Sequence, residues 1–172
     1  MYLLRQDGYL LTFLPFLIIE GNMNLKDKIS QDLKNAMKSG DKVRLQTIRS
    51  LRASILEFEK SGTGKVMDSE QEIKLLSTAA KKRKESIEQF TKAGREDLVN
   101  TEEAELKIIM SYLPEQLSTE DIETEVKKIA EEIGAVSKAD FGKLMGTAAK
   151  NLKGKADGRL IKEIVEKVLG DS

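Results

Sequence analysis

Lys153-Gly154-Lys155-Ala156-Asp157-Gly158-Arg159 sets three cations, two glycines and one carboxylate on a short segment between two helical patterns. Lysine and arginine at this density can hold phosphate oxygens through charge-assisted hydrogen bonds. The free amides and the dipole at a helix start favour the same anions. Anion binding is therefore the chemistry these residues offer. A nucleotide-binding loop of the Walker type needs four residues between its glycines and Ser or Thr after the lysine. Here seven residues lie between Gly146 and Gly154, and Ala156 follows Lys155. That reading is set aside. A structural role remains beside the functional one. Gly154 ends one helix, Asp157 caps the next by accepting its free amides, and Gly158 completes the turn. Lys153, Lys155 and Arg159, with Lys143 upstream, are then the candidate phosphate contacts.

Other charged groups have plainer readings. Arg49 and Arg52 flank an apolar stripe, where they either pair with acidic residues, cover core edges with their stems, or meet phosphates. Lys81-Lys82-Arg83-Lys84 spans a full helical turn, so its charges diverge and read as a solvated face. Glu102, Glu103 and Glu105, with Tyr112 nearby, read as solvent charges or ion-pair partners, with no nucleophile or metal-ligand set beside them. The chain contains neither Cys nor His. Thiol catalysis, disulfides, Cys/His zinc sites and histidine acid–base chemistry are excluded. No catalytic residue, cofactor or metal is expected.

The formal net charge is zero, so any polyanion site must be local. Aromatics make up only 5% of the chain and Trp is absent. Stacking platforms for single-stranded RNA are missing, and recognition of a folded RNA by shape and backbone is the natural version of RNA binding.

Positioning these residues falls to helices. Leu25, Ile29, Leu33, Ala36 and Met37 recur on one helix face, and Ser39-Gly40-Asp41 breaks it. The next helix turns Leu45, Ile48, Leu51, Ile55 and Phe58 inward and runs into a Ser61-Gly62-Thr63-Gly64 loop. Asp68 and Gln71 have capping-box spacing. The helix they open carries Ile73, Leu76, Ala80, Ile87 and Phe90 to Gly94. Another starts near Arg95 and is stopped by Pro114. Three shorter helices follow, opened by Ser118, Ser137 and Asp157. No strand is credible. The prediction is an all-α chain, with an N-terminal helical hairpin-like domain followed by a small three-helix bundle.

From Met23 onward the chain resembles the GatB/YqeY family. The stretches that carry the resemblance occur in order. They are Leu45-Gln46-Thr47-Ile48-Arg49-Ser50-Leu51-Arg52-Ala53, Lys82-Arg83-Lys84-Glu85-Ser86-Ile87 and Ala93-Gly94-Arg95-Glu96-Asp97-Leu98. Then come Glu103-Ala104-Glu105-Leu106, Tyr112-Leu113-Pro114-Glu115-Gln116-Leu117, Gly142-Lys143-Leu144-Met145 and Gly154-Lys155-Ala156-Asp157-Gly158. The resemblance implies an all-helical, two-part fold akin to the tail domain of the tRNA-dependent amidotransferase B subunit. It implies a link to carbon–nitrogen ligation with glutamine as amide donor. In such a complex the amidase and the cradle domain do the chemistry, and the tail contacts the tRNA. The expectation is a cytoplasmic, non-catalytic module that binds tRNA or a tRNA-handling enzyme, with a protein–protein adaptor as the alternative.

The expected organisation is residues 1–22 as an apolar extension, 23–114 as the N-terminal helical domain and 115–172 as the tail-like domain. Residues 9–19 are nearly all apolar and interrupted by Pro15. They are too few for a membrane span, which needs roughly 20. Three readings stay open: translation starting at Met23, a membrane or partner anchor, and a secretion signal.

Overall fold

The computed structural model describes residues 24–61 and 67–170. Among them are α-helices α1 (Leu25–Ser39), α2 (Lys42–Lys60), α3 (Ser69–Lys92), α4 (Glu96–Met110), α5 (Thr119–Ile133), α6 (Phe141–Asn151) and α7 (Gly158–Gly170), with a 3-10 turn at Lys138–Asp140 and no strand. The all-α prediction holds. The apolar run 9–19, the Met23 start and residues 62–64 of the expected loop lie outside the described residues.

Local chemistry fixes most of the helix ends. Asn24 accepts from Asp27 N at 2.9 Å, Asp41 from Arg44 N at 2.9 Å and Ser118 from Asp121 N at 3.1 Å. Each side chain satisfies an amide that the first turn leaves without a partner. Asp68 and Gln71 form the reciprocal capping box, at 2.8 and 2.9 Å. Gly40 and Gly134 close α1 and α5 in the left-handed conformation.

Two apolar cores result. Ile29, Ile48, Leu51, Leu76 and Ile109 centre the first, drawn from α1 to α4. Thr47 is buried among them, its hydroxyl donating to Val43 O at 2.8 Å. α3 and α4 fold back on each other across Gly94, the main packing of this half. Ile122, Val126, Leu144, Ala148 and Val165 centre the second core, where α5, α6 and α7 pack pairwise.

Several local expectations need correction. Met37 is 60% exposed and does not join the stripe, which continues through Ala36. Ser137 opens the 3-10 turn rather than α6, because Asp140 reaches back to accept from Val136 N and Ser137 N, both at 3.1 Å. α4 ends at Met110, short of Pro114. Tyr112 N and Leu113 N then bond Ile109 O and Met110 O at 3.1 and 3.2 Å. This tighter turn uses up the last carbonyls before the chain reaches the proline.

Candidate functional site

The basic loop hangs between the two cores, and uncharged contacts hold its backbone. α6 ends at Asn151 with Leu152 as its cap, so Gly154 does not end the helix as expected but lies in the turn beyond it. Leu152 points inward, and Lys155 N and Ala156 N bond its carbonyl at 3.0 and 3.2 Å. Gly154 takes φ +77° against α3; a Cβ there would stand 2.6 Å from Ile73 Cγ2. The Gln116 side-chain amide donates to Gly154 O at 2.6 Å, and Leu117 N donates to Lys155 O at 2.9 Å. The segment joining α4 to α5 therefore pins the loop in place.

Asp157 caps α7. Its carboxylate accepts from Arg159 N at 2.8 Å and its carbonyl from Ile161 N at 2.9 Å. The second carboxylate oxygen accepts from Lys84 Nζ at 2.7 Å. Partial burial opposes ionisation, but the bonds from Lys84 and Arg159 N outweigh it and hold the carboxyl below its ordinary range. The anion seat at the start of α7 thus holds the chain's own carboxylate. Gly158 is the first residue of α7, and a Cβ there meets nothing within 4 Å.

The cations divide into two groups. Lys153 Nζ bonds Glu70 at 2.6 Å, while Arg159 bonds Glu88 at 2.6 Å and lies 3.7 Å from Glu85. All three glutamates belong to α3, which faces the loop with a charged stripe. Glu70 is held below its ordinary range by the Lys153 hydrogen bond. Lys143 Nζ donates to Ile133 O at 2.7 Å, at the end of α5. Lys155 is exposed and has no acidic partner among the described residues; the same is true of Arg49 and Arg52 on α2. The basic cluster on α3 diverges as expected but is not one solvated face: Lys81 and Lys82 are exposed, while Arg83 and Lys84 are half-buried in ion pairs. Lys81 lies 3.9 Å from Glu85 and Lys84 meets Asp157, whereas Arg83 turns to α4.

Arg83 Nη1 bonds Glu102 at 3.1 Å, and Nη2 lies 2.8 Å from Glu105 Oε2, close but not aligned as a hydrogen bond. Glu102 and Glu105 are ion-pair partners, as read from sequence, yet Glu105 is buried. Burial pushes its carboxyl up, Arg83 works against this, and Glu102 adds to it. Tyr112 joins neither glutamate. Its hydroxyl donates to Asp32 at 2.6 Å, and burial together with Asp32 raises its pKa. Among the described residues no group of three or more acidic side chains has metal-holding geometry.

A cleft of about 580 Å³ runs beside the loop between α3 and α7. Lys81, Lys84, Arg159 and Lys162 line it with Glu88 and Glu163, over apolar side chains that include Met110 and Met145. Sequence reasoning missed the α3 wall. Glu70, Ser77, Lys81, Lys84 and Glu88 fall on one face at helical spacing, a pattern that could have marked a charged stripe.

Comparison with known proteins adds the following. The description "Yqey-like protein" matches residues 26–169. Three fungal proteins named altered inheritance of mitochondria protein 41, mitochondrial, are similar. That of Pyrenophora tritici-repentis is 33% identical over 83% of this chain and 80% of its own length. That of Lachancea thermotolerans is 38% identical over 58% of this chain and 53% of its own length. That of Kluyveromyces lactis is 34% identical over 69% and 65%. The matched region thus spans most of the first relative and between half and two thirds of the other two. No helix among the described residues is long and apolar enough to cross a membrane.

Proposed function

From the premise that this chain belongs to the YqeY-like family, which it shares with the amidotransferase tail domain, we propose that it is a non-catalytic helical module that binds tRNA or a tRNA-handling enzyme. One observation carries the reading. In a chain of zero net charge, Arg49, Arg52 and Lys155 stand exposed without acidic partners among the described residues, while most other cations of the candidate site are engaged by the protein itself. Exposed, uncompensated cations on rigid helices and a pinned loop suit the phosphate backbone of a folded RNA. The link to carbon–nitrogen ligation with glutamine as donor is then one of partnership. The module supports an enzyme that carries the chemistry elsewhere.

Gel-shift titration with total tRNA at two salt concentrations tests this. Binding should weaken steeply with salt, because each phosphate contact releases counterions. Absence of binding at low salt overturns the proposal. The cleft between α3 and α7, with its apolar floor and mixed charges, favours the second reading of a protein adaptor. A single protein partner retained after nuclease treatment would favour it. We place the protein in the cytoplasm; the relatives' names place those proteins in mitochondria. Cell fractionation decides between the two compartments.

A further inference from the structure

We propose that three glutamates of α3 are built-in competitors for the RNA backbone: Glu70, Glu85 and Glu88 hold Lys153 and Arg159 until phosphates displace them. This rests on the tRNA-binding reading and adds its regulation. Two kinds of contact meet at the loop. The uncharged set comprises the bonds Gln116 to Gly154 O and Leu117 N to Lys155 O, and the packing of Gly154 on Ile73. These are insensitive to salt and to an incoming anion. The charged set comprises Lys153 to Glu70 and Arg159 to Glu88 and Glu85.

The charged contacts lie at the surface. The side chains of Glu70 and Arg159 are 77% and 60% exposed. Exposed pairs of long side chains are weak and exchange readily. The loop backbone therefore stays pinned while its cations are free to swing from carboxylate to phosphate. Lys84 differs, because Asp157 holding it also caps α7. It stays with the scaffold. The released pair, beside the already free Lys155, would place three cations around the pinned turn. The intact protein would then bind RNA more weakly than its cation count allows, and with a shallower salt dependence.

The test is tRNA titration of the full chain across several salt concentrations, comparing wild type with Glu85→Gln/Glu88→Gln. The variant should bind several-fold tighter at low salt, and its slope of log K against log salt should steepen by about one for the freed Arg159, and by up to about two with Lys81, which Glu85 also pairs at 3.9 Å. Adding Arg159→Ala should cancel most of the gain, the remainder being the share of Lys81. Glu131→Gln/Glu132→Gln removes the same charge from an exposed part of α5 and controls for net charge. A gain of the same size in that control would overturn the competition, as would unchanged affinity and slope in the α3 variant while wild type binds. Absence of binding by every form would instead remove the tRNA reading itself. Circular dichroism melting of each variant verifies folding. Should the double variant fail to fold, Glu70→Gln makes the same comparison through Lys153.

Discussion

Gly154 and Gly158 look alike in the sequence and differ in the fold. Gly154 sits at φ +77°, and a side-chain carbon there would press on Ile73 Cγ2 at 2.6 Å. Gly158 opens a helix with open space around it. Gly154→Ala should therefore destabilise the protein by about 2 kcal/mol, since a left-handed backbone and a close contact both oppose the methyl group. Gly158→Ala should be neutral or stabilising by up to about 1 kcal/mol, through reduced freedom of the unfolded chain. Urea unfolding of the two variants checks the contrast. Sequence identified the turn but could not rank its glycines, because the deciding atom belongs to a residue in another helix. Glu105 makes the same point about burial. The sequence left it as either a solvent charge or an ion-pair partner; its pairing and its depth follow from the packing of α3 on α4. The folded protein holds this carboxyl above its ordinary value of 4.5, so folding favours its protonated form. The resulting contribution to stability is present below about pH 4.5 and is lost as pH rises through the raised folded value. Glu105→Gln should flatten that part of the profile. Subtracting the two unfolding free energies at each pH between 4 and 7 isolates the effect; a constant difference would contradict it.

Helix ends were the most legible elements, because a cap and its target lie within four residues of each other. Asp41, Asp68 and Ser118 each act through an amide three positions on, as does Asn24, which the sequence reading passed over. The misreadings at Ser137 and Pro114 have the same local origin: a 3-10 turn satisfied backbone groups that an uninterrupted α-helix would have used. α7 combines a legible cap with an illegible partner. Asp157→Ala removes both the cap and the Lys84 bond and should cost about 1 kcal/mol, most of it from the cap. Asp157→Asn keeps an acceptor for Arg159 N and should cost about half as much. Because the Asp157 carboxyl is held below its ordinary 3.8, its contribution is present above that pH and is lost as pH falls through the lower folded value. Thermal melts from pH 7 to pH 2 should show this loss in wild type and a weaker one in the Asn variant. On α2, Arg49 and Arg52 lie outside the buried face formed by Ile48, Leu51 and Ile55. Arg49→Ala/Arg52→Ala should leave stability within about 0.5 kcal/mol of wild type. It should weaken tRNA binding and lower the salt slope by up to about two. An unchanged slope would remove α2 from the interface.

At the scale of the whole molecule, two apolar cores are joined by one segment and a docked loop. The stripes that build each core were readable, since a period of three to four residues survives in any context. The docking was not readable. It pairs Lys153 with Glu70, Lys84 with Asp157 and Arg159 with Glu88. Each pair is separated by more than 70 positions along the chain, so neither partner marks the other in the sequence. Lys153–Glu70 and Arg159–Glu88 are exposed and couple the halves weakly. Only the part-buried Lys84–Asp157 pair and a few uncharged loop contacts add to them, whereas each core is held by fully buried aliphatic side chains. The cores should therefore respond separately to a cavity. Leu144 is fully buried at the centre of α5, α6 and α7. Leu144→Ala should cost about 2–5 kcal/mol, the usual range for such a truncation. If the cost stays local, amide protection should fall at least about 30-fold across α5, α6 and α7, while the most protected amides of α2, α3 and α4 keep wild-type rates. Native-state hydrogen exchange read by mass spectrometry distinguishes this from one cooperative unit, in which protection would fall by the same factor in both halves.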